Sequence, residues 1–147
     1  MVILNFEIDP SMSELNYQNH SIDLHNCYIF LGTKYSLDTK RAWLLYRRRD
    51  SATDSNAPYS GIFLKFENVS NLYKKSHDID YPLEYLEEDS QTPDLMGFSY
   101  KGDKIMEGPT SNKKENGLDS LIFTFVTGKS IKIEADSVEL IINKNES

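Results

Sequence analysis

An alternation of apolar residues near the end of the chain constrains the fold more than any other sequence feature. In SLIFTFVTGKSIKIEADSVELIIN, from Ser120 to Asn143, two runs of alternating residues flank Thr127-Gly128-Lys129. A period of two is typical of β-strands, and a short Gly-containing segment between two such runs predicts a hairpin. The apolar phase then moves from odd to even positions, which predicts a bulge or short turn at residues 135–137.

Four earlier stretches also favour strands, because they are rich in β-branched and aromatic residues and bounded by turn formers. They are VILNFEI at the start, SIDLHNCYIFLG from Ser21, RAWLLYRRR from Arg41 and GIFLKFENV from Gly61. In the last, Ile62, Leu64 and Phe66 share one face. Loops are expected at 50–58 and 108–117, and PLEYLEED is the one candidate for a helical turn.

These patterns predict a mainly β fold with little helix in a single domain spanning residues 1–147. We expect an antiparallel sandwich or a partly open barrel, and the alternative is an α+β fold in which a curved antiparallel sheet packs on one helix. A chain of this length can bury roughly 68–70% of the surface that it exposes when unfolded.

Cysteine use and the start of the chain indicate a reducing compartment. Cys27 is the one cysteine, so no internal disulfide can form. MVILNFEIDP has no basic n-region and is interrupted by Asn5 and Glu7, unlike a signal peptide. No run of 18 apolar residues is present, so no membrane-spanning helix is expected. We therefore expect a cytoplasmic protein.

The net charge of −7 is concentrated in one segment. Residues 78–94 contain seven acidic side chains and no Lys or Arg, and the rest of the chain contains 16 of each sign. The acids are interleaved with tyrosines and leucines and bracketed by Pro82 and Pro93. Tyrosine anchors in a negative field suit a basic partner, and prolines lower the entropy lost on binding. The predicted partner-binding residues are Tyr81, Glu84, Tyr85, Glu87, Glu88 and Asp89.

Other chemistry has weaker sequence support, and we expect no cofactor and no metal. TGKS, ending at Ser130, lacks the glycine that a phosphate-binding loop needs at position 123 and precedes a predicted strand, which favours a plain turn. His25 and Cys27 are expected to share a strand face, but no second ligand pair accompanies them. HDID, from His77, is interpreted as a solvated turn. No catalytic pair can be recognised by spacing alone.

A basic cluster, Arg47–Arg49, lies near Trp43 and Tyr46, and such mixtures can bind nucleic acid. The sequence pI of about 4.9 opposes that interpretation. Trp43 and Leu45 are instead expected to form the buried face of a strand. Whether the arginines pair internally with the acidic segment stays open at this point.

Three stretches carry a family resemblance: IFLKFENVSNLY, MGFSYKG and LIFTFVTGKSIKIEADSVELI. Together they resemble small bacterial β-rich domains, among them immunity-type proteins found beside polymorphic toxins. The resemblance covers the C-terminal three-fifths of the chain, and no functional residue of those families maps onto a position here. It implies an acidic, non-catalytic binder that blocks a basic toxin by covering its active site.

The expected function is therefore a non-catalytic intracellular binding protein of immunity or inhibitor type with a basic protein partner. The main alternative is a small-molecule-binding β-barrel, or an enzyme whose cleft is lined by aromatic residues. The two differ in surface shape, because a partner-binding protein should present a flat or convex face and a ligand-binding protein a concave pocket. A third possibility is an assembly subunit whose closing strand, SVELIINKNES, forms an exposed sheet edge.

Overall fold

The structure, a computed structural model, describes residues 1–9, 14–52, 57–75, 94–100, 118–124 and 130–143. These residues form twelve strands and one short helix. In chain order the elements are β1 (Val2–Ile3), β2 (Glu7–Ile8), β3 (Leu15–Tyr17), β4 (His20–Ile22), α1 (Leu24–Cys27), β5 (Tyr28–Ser36), β6 (Arg41–Arg48), β7 (Gly61–Glu67), β8 (Asn71–Lys75), β9 (Asp94–Tyr100), β10 (Leu118–Thr124), β11 (Ser130–Glu134) and β12 (Ser137–Asn143).

The strands form three sheets. A five-stranded sheet has the order β1-β12-β7-β6-β5, a four-stranded sheet β8-β11-β10-β9, and a three-stranded sheet β2-β3-β4. Every pairing is antiparallel except the short parallel contact of β1 with β12. One hydrophobic core draws buried side chains from all three sheets. The prediction of a mainly β, antiparallel fold with little helix is confirmed.

The C-terminal hairpin is present where the alternation predicted it. Strands β10 and β11 pair antiparallel from Ser120 opposite Glu134 to Thr124 opposite Ser130. The phase change also has a structural cause: β11 belongs to the four-stranded sheet and β12 to the five-stranded sheet. Ala135 and Asp136 separate the two strands, so the chain crosses between sheets where its apolar phase shifts.

Strand β6 buries the opposite face from the one expected. Ala42, Leu44 and Tyr46 are buried, whereas Trp43 and Leu45 are partly exposed, so the expectation for that pair was wrong. The cause is register: Leu44 lies opposite Leu64 of β7, whose buried face is the predicted Ile62, Leu64 and Phe66. Cross-strand partners lie on one face of a sheet, and RAWLLY is apolar on both faces.

Two predicted strands are divided. The segment SIDLHNCYIFLG includes parts of β4 and β5, with α1 between them. The helix begins here because Asp23 caps it, accepting a hydrogen bond from the Asn26 N–H at 2.9 Å. The first strand is broken between β1 and β2 at Asn5. The Asn5 side chain pairs with the main chain of β12, accepting from the Leu140 N–H and donating to the Leu140 carbonyl, both at 2.8 Å.

The closing strand is not an edge. β12 lies between β7 and β1, and the Asn5 amide extends the coverage of its outer side to Leu140. The third possibility, that SVELIINKNES forms a sheet edge, is therefore contradicted for its strand portion. Residues 144–147 lie outside the described residues. Among the described strands, β1 and β5 are the edges of this sheet.

We predict that two adjacent leucines of β6 differ sharply in their contribution to stability. Leu44→Ala should lower the free energy of unfolding by about 2–5 kcal/mol, because it leaves a cavity in the core. Leu45→Ala should cost less than about 1.5 kcal/mol, because that side chain is already partly exposed. Urea unfolding followed by circular dichroism measures both, and equal losses would contradict the assigned face of β6.

Two core tyrosines differ in the state of their hydroxyl groups. Tyr28 donates a hydrogen bond to the Tyr59 carbonyl at 3.0 Å. The Tyr46 hydroxyl is buried, and no hydrogen-bond partner for it lies among the described residues. Burial raises the pKa of Tyr28 to about 12 and raises the pKa of Tyr46 further. Both phenols therefore stay neutral in the folded protein at pH values where an unfolded tyrosine, with a pKa of about 10, ionises.

We predict opposite effects from removing these two hydroxyls. At pH 7, Tyr46→Phe should raise the free energy of unfolding by about 1 kcal/mol and Tyr28→Phe should lower it by about 1 kcal/mol, because one substitution removes an unsatisfied group and the other a hydrogen bond. Because the folded pKa values are raised, stability should fall as pH rises from about 10 towards 12. Denaturant titrations at pH 9–11 measure the free energy of unfolding, which should fall less with rising pH in each variant than in the parent protein.

Candidate functional site

The six residues predicted from sequence to bind a partner lie outside the described residues. This applies to Tyr81, Glu84, Tyr85, Glu87, Glu88 and Asp89, to the helical turn expected in PLEYLEED, to HDID and to the loop at 108–117. Of the acidic segment, the structure describes Asp94, with which β9 begins. The assignment of the binding site to this segment therefore stays a prediction.

The basic cluster is anchored to the described fold. Arg48 donates to the Ala57 carbonyl at 3.0 Å, and Arg49 donates to the His25 carbonyl at 3.4 Å. Arg47 lies 3.5 Å from the Asp50 carboxylate in an exposed ion pair. These contacts connect the end of β6 to the loop before β7 and to α1, so the cluster has a structural role.

The aromatic residues near this cluster do not form one surface. Tyr46 is buried in the core, with its ring centroid 5.4 Å from that of Phe30. Trp43 and Arg47 lie on the opposite face of β6, which is the outer face of the five-stranded sheet. The mixture of Trp, Tyr and Arg that suggested nucleic-acid binding is therefore divided between two faces.

The outer face carries an apolar depression that sequence reasoning missed. It has a volume of about 380 Å³ and is lined by Lys34, Trp43, Leu45 and Phe63. Register brings these residues together from three strands, since Trp43 lies opposite Lys34 and Leu45 opposite Phe63. Gly32, opposite Leu45, leaves the space beside it open. The sequence feature that could have revealed this depression is the second apolar face of RAWLLY, formed by Trp43 and Leu45, which was expected to be buried.

Paired charges border the apolar depression. Arg41 Nε lies 2.9 Å from Glu67 Oε2, and Lys65 Nζ lies 3.0 Å from Glu67 Oε1. Hydrogen bonds from Arg41 and Lys65 lower the pKa of the Glu67 carboxyl. Protein interfaces typically have an apolar centre and a polar, charged rim. Trp and Arg are enriched among the interface residues that contribute most to the binding energy.

A second concavity lies between the N-terminal segment and the β3–β4 hairpin. This polar cleft has a volume of about 740 Å³ and is lined by Ile3, Leu4, Asn5, Phe6, Glu7, Asn16, Gln18, Asn19, His20 and Ser21. Gln18 and Asn19 form the hairpin turn, and both have positive φ, as a two-residue turn of this kind requires. The cleft offers amide, hydroxyl and imidazole groups, so it suits a polar ligand better than an apolar one.

The metal-ligand candidates are not arranged as expected. His25 and Cys27 lie in α1, not on a strand, and residues two apart in a helix point in different directions. Cys27 is buried, and burial together with the Asp23 carboxylate raises the pKa of its thiol despite the opposing effect of Arg49. Within the described ranges, no group of three His, Cys, Asp or Glu side chains could hold a metal ion.

The strand expected after TGKS is confirmed, since Ser130 begins β11 and not a helix. On this strand the charged residue Lys132 is buried. Its Nζ lies 3.8 Å from Glu134 Oε1 and 5.8 Å from the centroid of the Tyr73 ring. Ser120, on the neighbouring strand, has a buried hydroxyl for which the described part of the chain supplies no hydrogen-bond partner. Together with Ser130, these two residues are the buried polar side chains of the described interior.

Comparison with known proteins gave no relative: no family model, no curated protein and no solved structure matches the chain. Within the part of the chain that the structure describes, no helix has both the length and the apolar character needed to cross a membrane.

Proposed function

We propose that this protein is a non-catalytic binding protein of immunity or inhibitor type that recognises a basic protein, such as a toxin domain. In this proposal it acts in the bacterial cytoplasm. The acidic segment at 78–94 provides the contact, with Tyr81, Glu84, Tyr85, Glu87, Glu88 and Asp89 as the binding residues. The observation that carries the proposal is the concentration of the entire net charge in those 17 residues, among tyrosines and leucines.

The concentration of negative charge in the segment at 78–94 favours the binding of a positively charged protein. A cluster of like charges raises the rate of encounter with an oppositely charged protein, and salt weakens that effect within a Debye length of about 8–10 Å. The tyrosines would contribute apolar contact area and hydroxyl groups at a low entropy cost. A basic partner therefore fits both the charge and the composition of the segment.

One feature of the described fold supports a protein partner. The outer face of the five-stranded sheet partly exposes Trp43, Leu45 and Phe63 on a shallow surface, which suits a protein partner better than an enclosed small molecule.

We predict that neutralising three acids of the segment abolishes partner capture. Tagged parent protein and a Glu87→Gln, Glu88→Gln, Asp89→Asn variant would be incubated with lysate of the native host, and retained proteins identified by mass spectrometry. The parent should retain one basic protein. For the purified pair, the variant should reduce the association rate constant by about 10-fold or more at low salt, with a smaller difference at high salt.

The matched control carries the same change in net charge elsewhere. Glu7→Gln, Asp38→Asn and Glu139→Gln remove three acids of the described fold that lie outside the segment. This control should bind like the parent. A triple variant of the segment that keeps the parent's affinity and salt dependence would overturn the site assignment, and a parent that captures no basic protein would count against the immunity-type function.

The polar cleft supports a second candidate function, the binding of a small polar ligand. Asn16, Gln18 and His20 converge on a concavity within the 300–1,000 Å³ range of ligand pockets. Its lining is mostly polar, which differs from the aromatic-lined cleft expected for this alternative and favours uncharged, hydroxyl-rich compounds.

We predict for this candidate that a panel of mono- and disaccharides contains a compound that raises the melting temperature of the parent by about 2 °C or more. Gln18→Ala with His20→Ala should remove that shift, because both side chains line the cleft and are exposed. The shift should survive in a control with Lys74→Ala, a change on the separate four-stranded sheet. No shift with any sugar would remove this candidate.

A further inference from the structure

An apolar row crosses the outer face of the five-stranded sheet. Three strand pairings place its members opposite one another, in the order Gly32, Leu45, Phe63 and Ile141. Because cross-strand partners lie on one face of a sheet, these residues form one continuous strip. Gly32 has no side chain, and a Cβ added there would meet no atom within 4 Å. The strip is therefore open towards β5, the strand from which Lys34 lines the apolar depression.

Positive charge lies directly beside this strip. In the next row of the same face, Trp43 lies between two lysines, with Lys34 opposite it on β5 and Lys65 opposite it on β7. Lys34 is exposed and takes part in none of the ion pairs formed among the described residues. The depression therefore combines an aromatic and aliphatic lining with one ammonium group that can pair with an anion.

The neighbouring charges add to this positive field. Arg41 Nε and Lys65 Nζ lie 2.9 Å and 3.0 Å from the two oxygens of the Glu67 carboxylate, so two cations share one anion. Glu139 lies opposite Lys65 on β12, a strand that contributes no residue to the lining of the depression. The border of the depression thus has an excess of positive charge, although the whole chain has a net charge of −7.

We propose that this face binds an acidic peptide segment of another protein, in which one large apolar side chain is flanked by carboxylates. The apolar side chain occupies the depression against Trp43, Leu45 and Phe63. A flanking carboxylate pairs with Lys34 in a charge-assisted hydrogen bond. Tryptophan is enriched among the interface residues that contribute most to the binding energy, and Trp43 lies at the centre of this contact.

The net charge of the chain does not prevent this contact at physiological ionic strength. The Debye length there is about 8 Å, so exposed charges farther away are largely screened, whereas a carboxylate in contact with Lys34 is not. The inference goes beyond the proposed function, because it depends on described strands and requires a ligand opposite in charge to a basic partner.

Two other occupants fit this face less well. Ligand pockets bury roughly 70–90% of a small molecule, which a shallow depression cannot do. A nucleic acid needs several cations for successive phosphates. On this face Arg41 and Lys65 already contact Glu67, and Arg47 is paired with Asp50. One lysine beside an aromatic group instead matches one carboxylate beside an apolar side chain.

Trp43 makes the proposal directly measurable, because it is the only tryptophan of the chain and it lines the depression. Its fluorescence would be followed while acetyl-Glu-Asp-Phe-Asp-Glu-amide, or the same peptide with a central Leu, is added to the parent protein. We expect a saturable change with a dissociation constant on the order of 100 µM at low salt. No saturable change with either peptide would overturn the proposal.

Control ligands test the chemistry of the peptide. A peptide with a central Ser tests the apolar side chain, and one with Lys in place of each acid tests the charge. A thymidine oligonucleotide tests nucleic-acid binding. Each should bind at least about 10-fold more weakly than the acidic Phe peptide. Equal or tighter binding of any of these ligands would contradict the assignment of an acidic, apolar segment.

Reversing the charge of Lys34 tests the ion pair. Lys34→Glu should raise the dissociation constant of the acidic peptide by about 10-fold or more and lower that of the lysine peptide. The matched control, Lys74→Glu, makes the same change at an exposed lysine of the separate four-stranded sheet. It should leave both constants within about twofold of the parent. Equal effects of the two variants would show that net charge, and not this face, controls binding.

The apolar contact is tested at Leu45. Leu45→Ala should weaken binding of the acidic peptide about 5-fold, because it removes part of the lining that the peptide side chain covers. Leu37→Ala should leave binding unchanged, since Leu37 is 78% exposed in the turn after β5 and does not line the depression. Circular dichroism should show the parent's fold in every variant. Unchanged binding by Leu45→Ala would overturn the apolar part of the proposal.

Discussion

The antiparallel pairing of β6, β7 and β12 is the constraint on which the rest of the structure depends. It aligns Leu44, Leu64 and Leu140 in one row across the sheet, and all three are buried. Because paired residues share a face, this row determines which side chains enter the core and which lie outside. The apolar depression around Trp43 is a direct result, since it consists of the apolar residues that the register leaves on the outer face.

A second constraint connects the two ends of the described chain. Asp136, at the crossing between sheets, accepts from the Val2 N–H at 2.7 Å and donates its own N–H to the Glu67 carbonyl at 3.1 Å. Asn68 adds a side-chain hydrogen bond to the Asp136 carboxylate at 2.6 Å. Further along β12, Asn5 completes the coverage of Leu140. The crossing that divides the C-terminal strands between two sheets therefore also positions the N-terminal segment and one wall of the polar cleft.

The surfaces that result have different chemistry, and each fits a different kind of binding. The outer face of the five-stranded sheet is apolar with a rim of paired charges, and the cleft beside the β3–β4 hairpin is polar. The acidic segment adds a concentrated negative charge to a chain whose remaining charges balance. The proposed partner function uses charge for encounter and aromatic side chains for contact.

The sequence by itself determined the β class, the C-terminal hairpin, the shift of phase at residues 135–137 and the buried face of β7, because each follows from a local period of two with a clear apolar side. It also determined where the charge lies. Only the tertiary structure decided the face of β6, the helix inside SIDLHNCYIFLG, the break at Asn5 and the position of β12 inside its sheet. The physical reason is that RAWLLY is apolar on both faces, so its phase depends on cross-strand register. The Asn5 contact joins residues 135 positions apart, a distance over which no local pattern carries information.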